Sequence, residues 1–278
     1  MVASFRQFSG ELTESGMSFS GIQTSRISKE NIEPTVNSVL AKLKKYGYRR
    51  SDLSLLGSTG KKESSGDIDV GIHTEPLLNA TNMSEIGPAL KKLQSYLAGF
   101  YGDVKFIFGM QLSMGVPVVG SSGRPTGEFC QVDLMFTPSL ETSSFYYHSP
   151  AQSESQYKGA YRTTLLFAIA IEHQRVDLGD GREERYWFDK WYGLLKGVEA
   201  KVGNKRVASD KEMVTNVPDE IVQILLGPSF TVADCNSFES IWKAIHSSKF
   251  VGKSTLSRVV STFKDICNKQ KMPLPSGV

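Results

Sequence analysis

The chain has 278 residues, of which 40% are hydrophobic and 22% charged, with a net charge of only +3. That is ordinary globular composition, long enough for one large domain or two modest ones, and it excludes a disordered or collagen-like chain. No run approaches about 18 consecutive apolar residues, so no membrane-spanning helix is expected, and the Ser-, Gly- and Phe-rich start does not read as a secretory signal.

Residues 1–30 read as a polar, irregular lead-in. Residues 31–46 predict a helix: Ile32, Val36, Val39, Leu40 and Leu43 recur at helical spacing, Pro34 suits a first turn and Gly47 a stop. Residues 53–56 predict a short buried strand and 58–65 a polar turn. Residues 67–73 predict a second strand, 83–100 a helix, and 104–108, 116–119 and 129–136 further strands. The stretch 121–127 between the last two reads as a hairpin loop. After Pro150 the chain changes character. Residues 157–173, 184–198, 217–226, 236–247 and 253–269 all read as helices. The expected organisation is therefore a lead-in over 1–30, a mixed sheet flanked by helices over 31–150, and a mainly helical lobe over 151–278, an α+β fold.

The chemistry concentrates in the first half. Asp67 and Asp69 alternate with Ile68 and Val70, so on a strand both carboxylates share one face and both apolar side chains the other. Paired oxygen ligands on a rigid strand suit Mg²⁺. Upstream, Gly57 and Ser58 open a turn whose backbone amides could cradle phosphate. The strand over 129–136 carries one acid, Asp133, which shares a face with Gln131; Cys130, Val132, Leu134 and Phe136 form the apolar face. If this strand lies beside the first, three carboxylates converge, and they need a cation to stay ionised together. Two metal ions would supply that charge and a route to phosphoryl chemistry.

Leu56-Gly57-Ser58, a polar spacer, Asp67-Ile68-Asp69-Val70 and the later Asp133 together resemble the polymerase-beta-type nucleotidyltransferase superfamily. The run Gly57-Ser58-Thr59-Gly60-Lys61-Lys62 through Ser65-Gly66-Asp67 is most similar to nucleotidyltransferase-like proteins of bacteriophages. The resemblance covers residues 50–136. It implies a nucleotidyltransferase sheet and two Mg²⁺ ions, with Mn²⁺ as a substitute, held by Asp67, Asp69 and Asp133. It also implies an NTP substrate, such as ATP, whose β and γ phosphates sit on Ser58 and nearby amides with help from Lys61 or Lys62. In that superfamily the helix after the catalytic domain often closes the nucleotide site, which nominates Lys158, Tyr161 and Arg162 as further nucleotide contacts.

The acceptor is less defined. From Lys243 onward seven basic residues stand against one acid, Asp265, whereas residues 1–150 carry 14 of each sign. That asymmetry suggests an RNA 3′ end as acceptor, against the plainer alternative of a solvated helix face. A protein or small-molecule acceptor, or a non-catalytic nucleotide- or nucleic-acid-binding relic, are the competing expectations. Three dispersed cysteines and four scattered histidines argue against a disulfide framework or a zinc site and point to a reducing cytoplasm, that of a host if the protein is viral. Phe250-Val251-Gly252-Lys253-Ser254-Thr255 imitates the end of a P-loop, but Ser247 stands where the first glycine is required. The aromatic run 185–192 is expected to pack a helical core rather than to stack single-stranded nucleic acid.

Overall fold

A computed structural model describes residues 19–107, 110–151, 154–202 and 205–278. The chain divides between Leu140 and Glu141 into two compact units, ahead of the boundary expected at Pro150.

The first unit is built on a five-stranded sheet in the order β2-β4-β7-β6-β5. Its strands are β2 (Leu53–Leu55), β4 (Asp67–His73), β5 (Val104–Ile107), β6 (Gln111–Val119) and β7 (Pro125–Thr137). Strands β4 and β7 run parallel, and every other pairing in the sheet is antiparallel. A two-stranded ribbon, β1 (Ile27–Ser28) with β3 (Ser64–Ser65), ties the lead-in to the segment just before β4.

Alternation decides which face is which. Ile68, Val70 and Ile72 of β4 and Val132, Leu134 and Phe136 of β7 are all at most 1% exposed. Helices α1 (Lys29–Leu43) and α3 (Ile86–Tyr101) supply the matching apolar stripes, Val36, Val39, Leu40 and Leu43 from one and Leu90, Leu93 and Leu97 from the other. Helix α1 begins two residues before the expected start, at Lys29, so Pro34 falls in its second turn and removes one backbone donor there. Gly47, at φ 81°, ends the 3₁₀ turn that follows, as its position after the apolar stripe predicts. A short helix, α2 (Thr74–Thr81), follows β4 where no element is expected. The expected hairpin loop shrinks to residues 120–124, because β7 already begins at Pro125. Residue 108, at the end of the expected third strand, and residues 1–18 of the lead-in lie outside the described residues.

The second unit holds α4 (Leu140–Tyr146, all but its first residue), α5 (Gly159–Glu172), α6 (Pro218–Leu226), α7 (Phe238–Ser247) and α8 (Lys253–Lys269). It also contains a four-stranded antiparallel meander in the order β11-β10-β9-β8. The strands are β8 (Val176–Gly179), β9 (Arg182–Asp189), β10 (Gly193–Val202) and β11 (Lys205–Thr215). The helix expected over 184–198 is thus corrected to a β-hairpin. Tyr186 and Phe188 point into the core shared with α5, α7 and α8, while Arg185 and Trp187 occupy the opposite face of the same strand. All four are at most 8% exposed. Cover on both faces erases the apolar/polar alternation that marks a strand, and aromatic side chains favour a pleated surface. The Asp189 carboxylate accepts the backbone N–H of Trp191 (2.8 Å) and Tyr192 (2.9 Å) and shapes the hairpin turn.

Among the described residues no helix is long and apolar enough to cross a membrane. Cys130, Cys235 and Cys267 are buried free thiols.

Candidate metal centre

The parallel register of β4 and β7 sets Asp67 opposite Gln131 and Asp69 opposite Asp133. Paired positions point to the same face, so all three carboxylates leave the sheet on the side away from the aliphatic core. One oxygen from each lies within 4.8 Å of the others, and among the described residues this is the one such group of three or more metal-ligating side chains. Asp133 is 6% exposed, and Asp67 and Asp69 are half-buried.

The electrostatics are unfavourable as they stand. Burial raises the pKa of all three carboxyls. Asp69 is pushed well above the usual range by burial and by the charges of Asp67 and Asp133. Asp133 is pushed to about 6 by burial, with the charge of Asp67 adding to the rise. Hydrogen bonds from Ser113, Gln131 and Gln111 oppose it. The Nε2 of Gln131 lies 3.1 Å from each oxygen of Asp133, and Gln111 Nε2 donates to Ser113 Oγ at 3.2 Å. Ser113 itself pairs with Asp133 across β6 and β7. Hard oxygen donors crowded together, with like charges unrelieved, form the donor set that Mg²⁺ or Mn²⁺ accepts, and the residues fit such an ion.

The turn after β2 is fastened to the same strand. The Leu56 N–H donates to the carbonyl of Asp69 (2.9 Å), and the Asp69 N–H donates to Thr59 Oγ1 (3.0 Å). The Gly60 N–H donates to Ser65 Oγ (3.2 Å), closing the turn from its far side. Gly57 adopts φ +60°, and a Cβ there would sit 3.0 Å from Oδ2 of Asp69. Only glycine gives both that backbone and that approach without strain. Ser58, Lys61 and Lys62 are exposed on this turn. Gly57 and Ser58, predicted from sequence, are therefore brought beside the carboxylates.

Lys158, Tyr161 and Arg162 belong to the second unit. Arg162 is a correction. It is 1% exposed, donates from Nε to the carbonyl of Cys235 and from Nη1 to that of Phe145 (2.7 Å), and lies over the Phe145 ring at 4.6 Å. Burial lowers its pKa to about 10. Its guanidinium holds the lobe together and is not presented to a nucleotide. Tyr161 packs against Tyr157 and Phe238 and donates its hydroxyl to Pro273 O (2.8 Å). Lys158 is exposed at the N-cap of α5, one residue outside the helix, so it does not share a helical face with Arg162. Gly252 is the N-cap of α8, and Ser247 ends α7, which removes the P-loop imitation.

Three contributors were missed. Gln131 was visible on the Asp133 face but was assigned no role. Ser113 became legible only once the β6–β7 pairing was known. Arg26, in the lead-in, donates from Nε to Ser64 Oγ (3.1 Å) and from Nη2 to Ser64 O (2.9 Å), and its charge partly counters the raised pKa of Asp67. No local pattern around Arg26 signals this.

No protein-family model and no curated protein matches the chain.

Proposed function

We propose that the chain is a Mg²⁺-dependent nucleotidyltransferase that moves a nucleoside monophosphate from an NTP to an acceptor hydroxyl and releases pyrophosphate. The observation that carries this reading is the convergence of Asp67, Asp69 and Asp133 next to the turn opened by Gly57 and Ser58. Asp67 and Asp69 would hold both ions, and Asp133 would complete the site nearer the acceptor. Divalent ions held there would acidify the attacking hydroxyl and offset the charge that develops on the departing pyrophosphate.

The rest of the work falls to the side chains. Asp133, the most enclosed carboxylate, takes the proton of the acceptor hydroxyl as its oxygen forms a bond to the α-phosphorus. The bond from that phosphorus to the β-bridging oxygen breaks, and pyrophosphate leaves with the electron pair. Gln131 and Ser113 fix the Asp133 carboxylate, so little reorientation is needed. Ser58 and the amides of its turn bind the β and γ phosphates, with Lys61 alongside.

For the acceptor we favour an RNA 3′ end. Lys243, Lys249, Lys253, Lys269 and Lys271 are all exposed and leave the C-terminal segment with a basic surface suited to a phosphate backbone. Incubation with each labelled NTP, Mg²⁺ and total RNA should label RNA, and the Asp69→Asn variant should not. Label found on protein or a small molecule alone would overturn the RNA acceptor and keep the reaction. No transfer and no NTP binding would overturn the reaction itself.

A further inference from the structure

We propose that Arg26 is a triphosphate anchor of this site, a guanidinium held ready by Ser64 to grip the phosphate chain of the incoming nucleotide beside Asp67. The inference rests on the nucleotidyl-transfer reading and assigns it a residue outside the carboxylates and the glycine turn.

The first support is how firmly the residue is placed. The neighbouring Ser25 donates its N–H to Phe129 O (2.8 Å), at the edge of β7. On the other side Ile27 pairs with Ser65 and Ser28 with Ser64. The backbone of Arg26 is therefore tied both to the sheet that carries Asp133 and to the turn that precedes Asp67. The side chain is tied as well, through the two bonds to Ser64. An arginine fixed before its ligand arrives loses little side-chain entropy on binding.

The second support is which part of the guanidinium is used. Nε and Nη2 form one edge of the planar group, and that edge faces Ser64. Nη1 takes no part in those bonds. It lies 3.6 Å from where a Cβ at Gly66 would stand, next to Asp67 in sequence. The end of the fork formed by Nη1 and the second N–H of Nη2 is left for a partner, and that end matches two oxygens of a phosphate. The residue as a whole is exposed, so a ligand can reach it.

The third support is charge. Two divalent ions offset three carboxylates and leave little over, whereas a triphosphate brings several further negative charges. Lys61 and Lys62 are exposed on the same turn. Arg26 adds a guanidinium held at the end of that same turn by its two bonds to Ser64.

A structural role alone would make Arg26 a clip between the lead-in and β3. The two roles separate by experiment. Because the preferred base is unknown, inorganic tripolyphosphate with Mn²⁺ serves as the probe, measured by calorimetry on the full chain. Mn²⁺ binding without polyphosphate and the thermal midpoint are measured in parallel. Arg26→Ala should weaken tripolyphosphate binding at least about tenfold, while Mn²⁺ still binds at least as tightly as in wild type. Arg26→Lys, which keeps the charge and loses the fork, should recover part of the loss. Arg26→Gln places its amide nitrogen where Nε stands and can still donate to Ser64 Oγ, so it tests the charge even if the alanine variant folds poorly; it should bind as weakly as Arg26→Ala. In turnover the effect should fall on KM for the NTP more than on kcat. Wild-type affinity in Arg26→Gln overturns the anchor and leaves the carboxylate reading intact. A wild-type chain that binds neither Mn²⁺ nor tripolyphosphate overturns that reading and the anchor with it.

Discussion

Glu172 in the second unit and the Asp67, Asp69 and Asp133 trio in the first are all withdrawn from water, yet their surroundings differ in kind. Glu172 is 2% exposed and meets Arg175 (3.3 Å), Arg258 (3.1 Å) and the hydroxyl of Thr262 (2.8 Å). Arg175 continues to Glu183, Glu183 to Arg185, and Arg185 to Glu199 at 3.1 Å. Every acid in that chain has a cation beside it. In the trio of the first unit the charges of its own members raise Asp69 and Asp133, and Arg26 partly counters the rise at Asp67. Buried acids that are satisfied from within serve the fold. Acids left to repel one another are the ones whose charge the proposed cation would offset.

The comparison can be broken in several ways. The largest expected effect is on chemistry: Asp69→Asn should lower turnover by about a thousandfold or more while leaving the fold intact, read by steady-state pyrophosphate release. A variant retaining a tenth of the wild-type rate would remove Asp69 from the reaction. Next, Glu172→Ala should destabilise the second unit by about 1–3 kcal/mol, because Arg258 and Thr262 lose their buried acceptor. Urea denaturation checks this, and a loss under about 1 kcal/mol would mean the network is solvent-screened like an ordinary surface pair.

The pH dependence sharpens the contrast. The pKa of Asp133 in the folded chain is raised to about 6, so its contribution favours the folded state at low pH and is lost as pH rises through that value. With chelator present, wild type should lose roughly 3 kcal/mol relative to Asp133→Asn between about pH 4 and pH 7. A difference that stays constant across that range would show that Asp133 is not strained. The smallest effect is expected at Gly57, where alanine must adopt a positive φ and press on Oδ2 of Asp69. A cost of about 1–2 kcal/mol and weakened Mn²⁺ binding should follow.

How far the sequence could be read tracks the same physics. Strand β4 was bounded correctly, and the meeting of Asp69 with Asp133 was foreseeable, because one polar face against one apolar face leaves a period of two in the residues. Helix α8 was bounded correctly for the parallel reason at helical period. Strands β9 and β10 were misread because both their faces are covered there, so no alternation survives. Arg162 was misread because a basic residue near a helix start usually faces solvent; its partners, Phe145 and Cys235, come from distant segments that no local pattern reveals. Arg26 was overlooked in the lead-in for the same reason, since Ser64 is 38 residues away.

The central claim is that the trio is held in a state that a divalent cation completes. Thermal melting of wild type and Asp69→Asn at neutral pH, each with chelator and with Mg²⁺, tests it most directly. Asp69→Asn should melt higher than wild type in chelator, because one repelling charge is gone, and Mg²⁺ should raise the midpoint of wild type alone. A variant that melts lower than wild type in chelator, with Mg²⁺ shifting both proteins equally or neither, would contradict it.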